Sequence, residues 1–152
     1  MTPVALDSNV LVYMANVVRV EEDKAKVAAI LSLLARLSGK VRLVAATQAL
    51  GETFIVMQRS GLSRKEARQG VEDLAAKLDV VTASEEAFHD AMDVAVDHKL
   101  QFWDSLILAS AAHAGCAMLL SEGMQDGFDW QGVTIANPFA EKPNRKLARI
   151  LE

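Results

Sequence analysis

A chain of 152 residues is long enough for one domain with a sizeable core. With 51% hydrophobic and 24% charged residues it belongs among folded rather than disordered chains. The net charge of −4 excludes bulk electrostatic attraction to nucleic acid or an anionic membrane, so any contact with phosphate needs a local basic patch or a metal.

Taken in chain order, Val4 to Leu6 reads as a short buried strand, closed by Asp7. Val27, Ile30, Leu31, Leu34 and Leu37 recur at helical spacing and predict a helix over 23–37, stopped by Ser38-Gly39. Val41 to Ala46 is a second strand. Thr47 is the expected N-cap of a helix to about Arg59, with Ser60-Gly61 as its stop. Ser63-Arg64-Lys65-Glu66 is a capping-box pattern for the next helix, and 78–82 form a third strand. Thr82-Ala83-Ser84-Glu85 suggests another capping box and a helix to about His98. Asp104 is expected to open a helix to Ala114. Strands over 117–120 and 133–136 follow, the latter ended by Asn137-Pro138. The tail, 140–152, is expected to form a short helix after Pro143.

This alternation of strands and helices predicts an α/β domain with a mostly parallel, five-stranded sheet sandwiched between helices. Ligand sites in such sheets lie beyond the carboxyl ends of the strands. Asp7 ends the first strand, and Ser121-Glu122 ends the fourth. Cys116, the single cysteine, permits no internal disulfide and suits a small buried hydrophobe. The N-terminus lacks a basic n-region, and the least charged stretch, 105–120, is shorter than the roughly 20 residues of a membrane span. A cytoplasmic protein that does not engage a membrane is expected.

Three acids lie beside apolar runs: Asp7 after Val4-Ala5-Leu6, Glu52 within Ala49 to Met57, and Asp104 between Phe102-Trp103 and Ser105 to Ala109. A charge avoids such surroundings unless something compensates it, and a hard divalent cation compensates several carboxylates at once. Each acid also has a structural reading. Asp7 suits a helix N-cap, Asp104 complements a helix dipole, and Glu52 can reach solvent from the edge of a buried stripe. Asp90, Asp93 and Asp97 share one helix face and read as solvated. His89, His98 and His113 lack metal-ligand spacing. Arg59, Arg64, Lys65 and Arg68 gather around the Ser60-Gly61 turn, either as a grip for phosphates or as plain surface; Lys142, Arg145, Lys146 and Arg149 in the tail invite the same two readings.

The wording of the motifs adds to this. Asp7-Ser8-Asn9-Val10-Leu11-Val12-Tyr13 resembles the opening of PIN-domain ribonucleases, Glu52 stands where that family carries its helix glutamate, and Phe102-Trp103-Asp104-Ser105-Leu106-Ile107-Leu108-Ala109 looks like its third acidic motif. Leu119-Leu120-Ser121-Glu122 with Met124 to Gly127, then Val133 to Phe139, is similar to the ending of VapC-type toxins of bacterial toxin–antitoxin pairs. The resemblance spans residues 1–139, the expected nuclease domain. One position departs from it: the family's fourth acid falls on Gly123, flanked by Glu122 and Asp126, of which Asp126 is the preferred auxiliary acid.

The resemblance implies a metal-dependent endoribonuclease. Asp7 and Asp104 would hold Mg²⁺ or Mn²⁺, with Glu52 and Asp126 completing the catalytic acids and Ser8 bonding a neighbouring acid or the attacking water. Water would be the nucleophile, leaving a 5′-phosphate and a 3′-hydroxyl. It also implies a cognate antitoxin and a homodimer. Phe54, Ile55, Met57 and the Val10–Met14 run are candidate groove residues for the antitoxin and equally candidates for ordinary core. The alternative is a degenerate PIN domain that binds RNA or protein without cleavage, for which Gly123 is the main support.

Overall fold

The computed structural model describes residues 1–152. Short, almost wholly apolar strands form one sheet. β1 (Thr2–Leu6) pairs in parallel with β2 (Val41–Ala46) on one side and β4 (Met118–Leu120) on the other, and β2 continues to β3 (Asp79–Val81). β4 pairs in parallel with β6 (Val133–Ala136), which takes a two-residue antiparallel partner, β5 (Asp129–Trp130). The sheet thus has six strands in the order β3-β2-β1-β4-β6-β5, not the expected five. A two-residue strand has no periodicity to read. Gln131 and Gly132, both at positive φ, make its tight return to β6.

The helices are α1 (Ser8–Met14), α2 (Asp23–Leu37), α3 (Thr47–Arg59), α4 (Arg64–Ala75), α5 (Glu85–His98), α6 (Phe102–His113) and α7 (Arg145–Leu151). Val4, Leu6, Val44, Met118, Leu119, Leu120 and Ile135 are fully buried, as strands covered on both faces must be. Ile30 and Leu37 of α2, Met57 of α3 and Leu147 of α7 close the same core. No helix is long and apolar enough to cross a membrane.

Three helix starts differ from expectation. Thr47 is the first residue of α3 and does not cap it; Ala46 holds the N-cap place without a side-chain bond. α5 is capped by Ser84, whose hydroxyl accepts from Ala87 N at 3.0 Å; the cap lies two residues later than Thr82, and with Ala87 at the third helical position no reciprocal box forms. α6 begins at Phe102, and Gln101 caps it by accepting from the backbone N of Asp104 at 2.9 Å. Asp104 is therefore the third residue of its helix, with its carboxylate released from capping. The Ser63–Glu66 capping box is present as read.

The strand order determines where a ligand site lies. From β1 the chain moves outward to β2 and β3, then returns across the sheet to β4 on the other flank of β1. The β1/β4 crevice is thus the point where the winding reverses, and its carboxyl end is the natural site.

A candidate acidic centre at the end of the central strand

Asp7 follows β1 directly. Its backbone N donates to Leu120 O at 3.0 Å, so the β1–β4 ladder continues to this residue. Extended backbone angles (φ −76, ψ 164) then turn the chain into α1, with Asp7 as N-cap. Oδ1 accepts from Ser8 N and Oδ2 accepts from Ser121 Oγ, both at 2.7 Å. The side chain is buried at 4% exposure. Burial pushes its pKa up, while hydrogen bonds from Ser121 and Ser8 pull it part of the way back. Asp7 is a helix cap and a buried, ionisable carboxylate together, so the structural and functional readings of it do not compete.

Ser121, fully buried, also accepts from Gly123 N at 3.2 Å and Met124 N at 3.3 Å. One hydroxyl therefore ties the loop after β4 to the carboxylate after β1. In sequence it shows only as a polar residue ending a buried strand, the one signal available for this role.

Glu52 projects from the middle of α3, which packs against α1 and α6. Its Oε1 is buried and has no hydrogen-bond partner, the single such side-chain atom in the protein. Burial, followed by the charges of Asp7 and Asp104, pushes its pKa up to about 7. Asp104 is raised too, by burial and then by Asp7. The structure thus brings Asp7, Glu52 and Asp104 within electrostatic reach of one another.

Asp126 and Glu122 each have a partner of their own. Asp126 Oδ1 accepts from Asn137 N at 2.8 Å, which fastens its loop to the end of β6. Glu122 accepts from the Tyr13 hydroxyl at 2.9 Å and pairs with Lys26. Gly123 sits beside Asn9, whose Nδ2 would lie 3.4 Å from an added Cβ, and its backbone is not in the left-handed region. Neither crowding nor conformation requires glycine there.

The other candidates sort plainly. Asp90 pairs with His113 at 2.7 Å rather than joining Asp93 and Asp97 in a cluster. Val10 to Tyr13 and Met57 are core, whereas Ile55 is 47% exposed and Phe54 is half-buried. Lys146 donates to Ala117 O at 2.6 Å and anchors α7 to the sheet. Cys116 is buried, with its thiol pushed up to about 11 by burial. Of the cations near the Ser60-Gly61 turn, Arg59 shares a concavity with Arg19, while Arg64, Lys65 and Arg68 surround Phe54 in another.

The central donor set is hard oxygen, crowded enough to raise each carboxyl and leaving one oxygen unpartnered. That chemistry fits a divalent cation such as Mg²⁺ or Mn²⁺. No group of three or more His, Cys, Asp or Glu side chains is placed so that it alone could hold a metal ion.

The family model of the PIN domain matches residues 4–124. The chain belongs to the PIN domain family. None of the curated proteins matches it in sequence. Among solved structures it is similar to VapC20 of Mycobacterium tuberculosis, a sarcin–ricin loop cleaving toxin, with a TM-score of 0.61 and 15% identity over 76% of this chain and 86% of that one. A toxin–antitoxin complex from Klebsiella pneumoniae gives 0.64 at 15% identity, covering 90% of this chain and 98% of that one. VapBC2 of Rickettsia felis, bound to a promoter DNA fragment, gives 0.63 at 13% identity with the same coverages. At these identities the likeness is one of fold. For this PIN domain the acids at the β1/β4 switch point carry the chemical argument.

Proposed function

We propose that this PIN domain is a metal-dependent endoribonuclease and the VapC-type toxin of a toxin–antitoxin pair. The observation that carries the catalytic reading is the buried, unpartnered Oε1 of Glu52 facing two further raised carboxylates. Unpaired buried oxygens are costly, and a site that keeps one is arranged for something that binds there. The kinship in fold with toxins and toxin–antitoxin complexes supports the toxin half of the reading.

Asp7 and Asp104 would hold Mg²⁺ or Mn²⁺, which when bound neutralises charge on the phosphodiester and acidifies water. Ser121 and Ser8 N fix both oxygens of Asp7, so that carboxylate is preorganised. Glu52 Oε1 accepts a proton from the attacking water. The water oxygen bonds to phosphorus, the bond from phosphorus to the 3′-oxygen breaks, and that oxygen takes a proton from solvent. The products carry a 5′-phosphate and a 3′-hydroxyl. Asp126, held on Asn137 N, supports the loop beside the site. A cognate antitoxin, a homodimer and a cytoplasmic setting complete the proposal.

The test is incubation with mixed RNAs, with and without Mg²⁺ or Mn²⁺. Metal-dependent cleavage that Asp7→Asn and Asp104→Asn abolish supports the enzyme. Binding of RNA without cleavage under every metal condition would sink it and favour a degenerate binding module.

A further inference from the structure

Glu52, Val56 and Arg59 stand at i, i+4 and i+7 on α3, along one stripe of the helix. The rise from Glu52 to Arg59 is about 10 Å. At the far end of that stripe the connection from α1 to α2 approaches α3, and Val18, Arg19, Val56, Arg59 and Ser60 line an open concavity. The acidic centre and a cationic hollow thus lie on one face, about two helical turns apart.

The two arginines differ in how they are held. Arg19 is fixed: its backbone N and Nε both donate to Asp23 Oδ2, at 2.9 and 3.0 Å, and an Nη donates to the Tyr13 hydroxyl at 3.4 Å. Asp23 cancels its charge but leaves guanidinium donors oriented. Arg59 is exposed and makes no ion pair, although six ion pairs form elsewhere in the protein. A free cation beside an oriented donor fork matches a phosphate, which takes charge from one and geometry from the other.

We propose that this concavity binds a backbone phosphate of single-stranded RNA, next along the strand from the phosphate at the acidic centre. The inference rests on the ribonuclease reading above and deepens it. Three carboxylates in a protein of net charge −4 repel a polyanion. A cation on the same helix face offsets that repulsion where the strand must pass. Sequence-independent backbone contact also agrees with the character of the hollow, which holds two valines but no aromatic ring for stacking a base.

The experiment reads RNA binding apart from cleavage. Fluorescent single-stranded oligo(U) is titrated in an Asp104→Asn background from low to high salt, and anisotropy gives the slope of log K against log salt. Each phosphate contact to a single strand contributes about −0.7 to that slope. Arg59→Gln is expected to make the slope shallower by about 0.7 and to weaken binding several-fold at low salt. Arg59→Lys should restore most of the slope. Arg149→Gln, a cation on α7, serves as the control and should leave it unchanged.

An unchanged slope in Arg59→Gln overturns the proposal, as does an equal loss in Arg149→Gln, which would mean diffuse surface charge. So does retained RNA binding with lost binding of a cognate antitoxin, which would make the hollow a protein site. Absence of oligo(U) binding also overturns it. Failure of unaltered protein to cleave RNA with any divalent metal, by contrast, strikes the ribonuclease reading and leaves the salt slope readable. Thermal melts check that the exposed substitutions leave the fold intact.

Discussion

Replacing Glu52 by Gln removes a charge whose cost can be worked out. In the folded protein this carboxyl titrates near 7, against 4.5 when unperturbed. Below 4.5 both folded and unfolded chains hold the proton, and ionisation has no effect on stability. Between 4.5 and 7 the unfolded chain ionises while the folded one keeps its proton, so stability falls as pH rises; above 7 the penalty is complete. Holding the carboxyl at about 7 instead of 4.5 sets a ceiling of roughly 3.4 kcal/mol on the penalty. Solvent reaches part of this half-buried side chain, so screening reduces the effect to about 1–2 kcal/mol. For a chain of this size that corresponds to about 3–6 °C in Tm.

Metal-free Glu52→Gln should therefore melt above the unaltered protein at pH 8 and match it at pH 4. Differential scanning fluorimetry or calorimetry with a chelator measures this. Saturating Mg²⁺ held by Asp7 and Asp104 should narrow that difference, because the cation's charge offsets the acidic repulsion that helps to raise Glu52. A Tm difference that ignores pH, or an equal rise of both proteins on adding Mg²⁺, would refute the electrostatic account of the acidic centre.

Gly123→Asp is expected to fold normally, since its Cβ meets only Asn9 Nδ2 at 3.4 Å. It should tighten Mn²⁺ binding by about threefold to tenfold, read by calorimetry; unchanged affinity in a folded variant would show that position 123 does not face the ion. Ser121→Ala takes a hydrogen bond from Asp7 and an acceptor from two backbone N–H groups. It should cost about 1–3 kcal/mol in denaturant unfolding and lower RNA cleavage at least tenfold, with wild-type values of both counting against the tie. Cys116, its thiol held at about 11 and buried, should resist disulfide reagents in native protein at neutral pH and react at once in denaturant. Rapid native labelling would contradict its placement.

Much of this was legible because the signals are local. Val4-Ala5-Leu6 and Leu119-Leu120 are too short and too apolar to be anything but covered strands, and Asp7 marks where β1 stops. The three acids were visible as charges set against apolar neighbours. What escaped depends on contacts between distant residues or on competition among nearby caps. Thr82 and Ser84 are both plausible caps by type, and geometry chose Ser84; Gln101, not a favoured cap type, took the place expected for Asp104. β5 exists only because β6 offers a free edge to Asp129 and Trp130. Ser121 and Asp7 are 114 positions apart, and nothing in either neighbourhood announces the other. The bond from Asn137 N to Asp126 was equally hidden, because it is a matter of loop path, not composition.

That long-range hydroxyl bond has a consequence in time. Asp7 leaves a ribosome 114 positions ahead of Ser121. At 5–20 residues per second the gap is on the order of ten seconds. Throughout it the growing chain carries its first carboxylate with β4 absent, so the Asp7 oxygen that Ser121 holds has no donor and the crevice has one wall. The acidic centre is assembled by the closing of the sheet, not inherited from β1, and a nascent chain lacks it until β4 and Ser121 have been made.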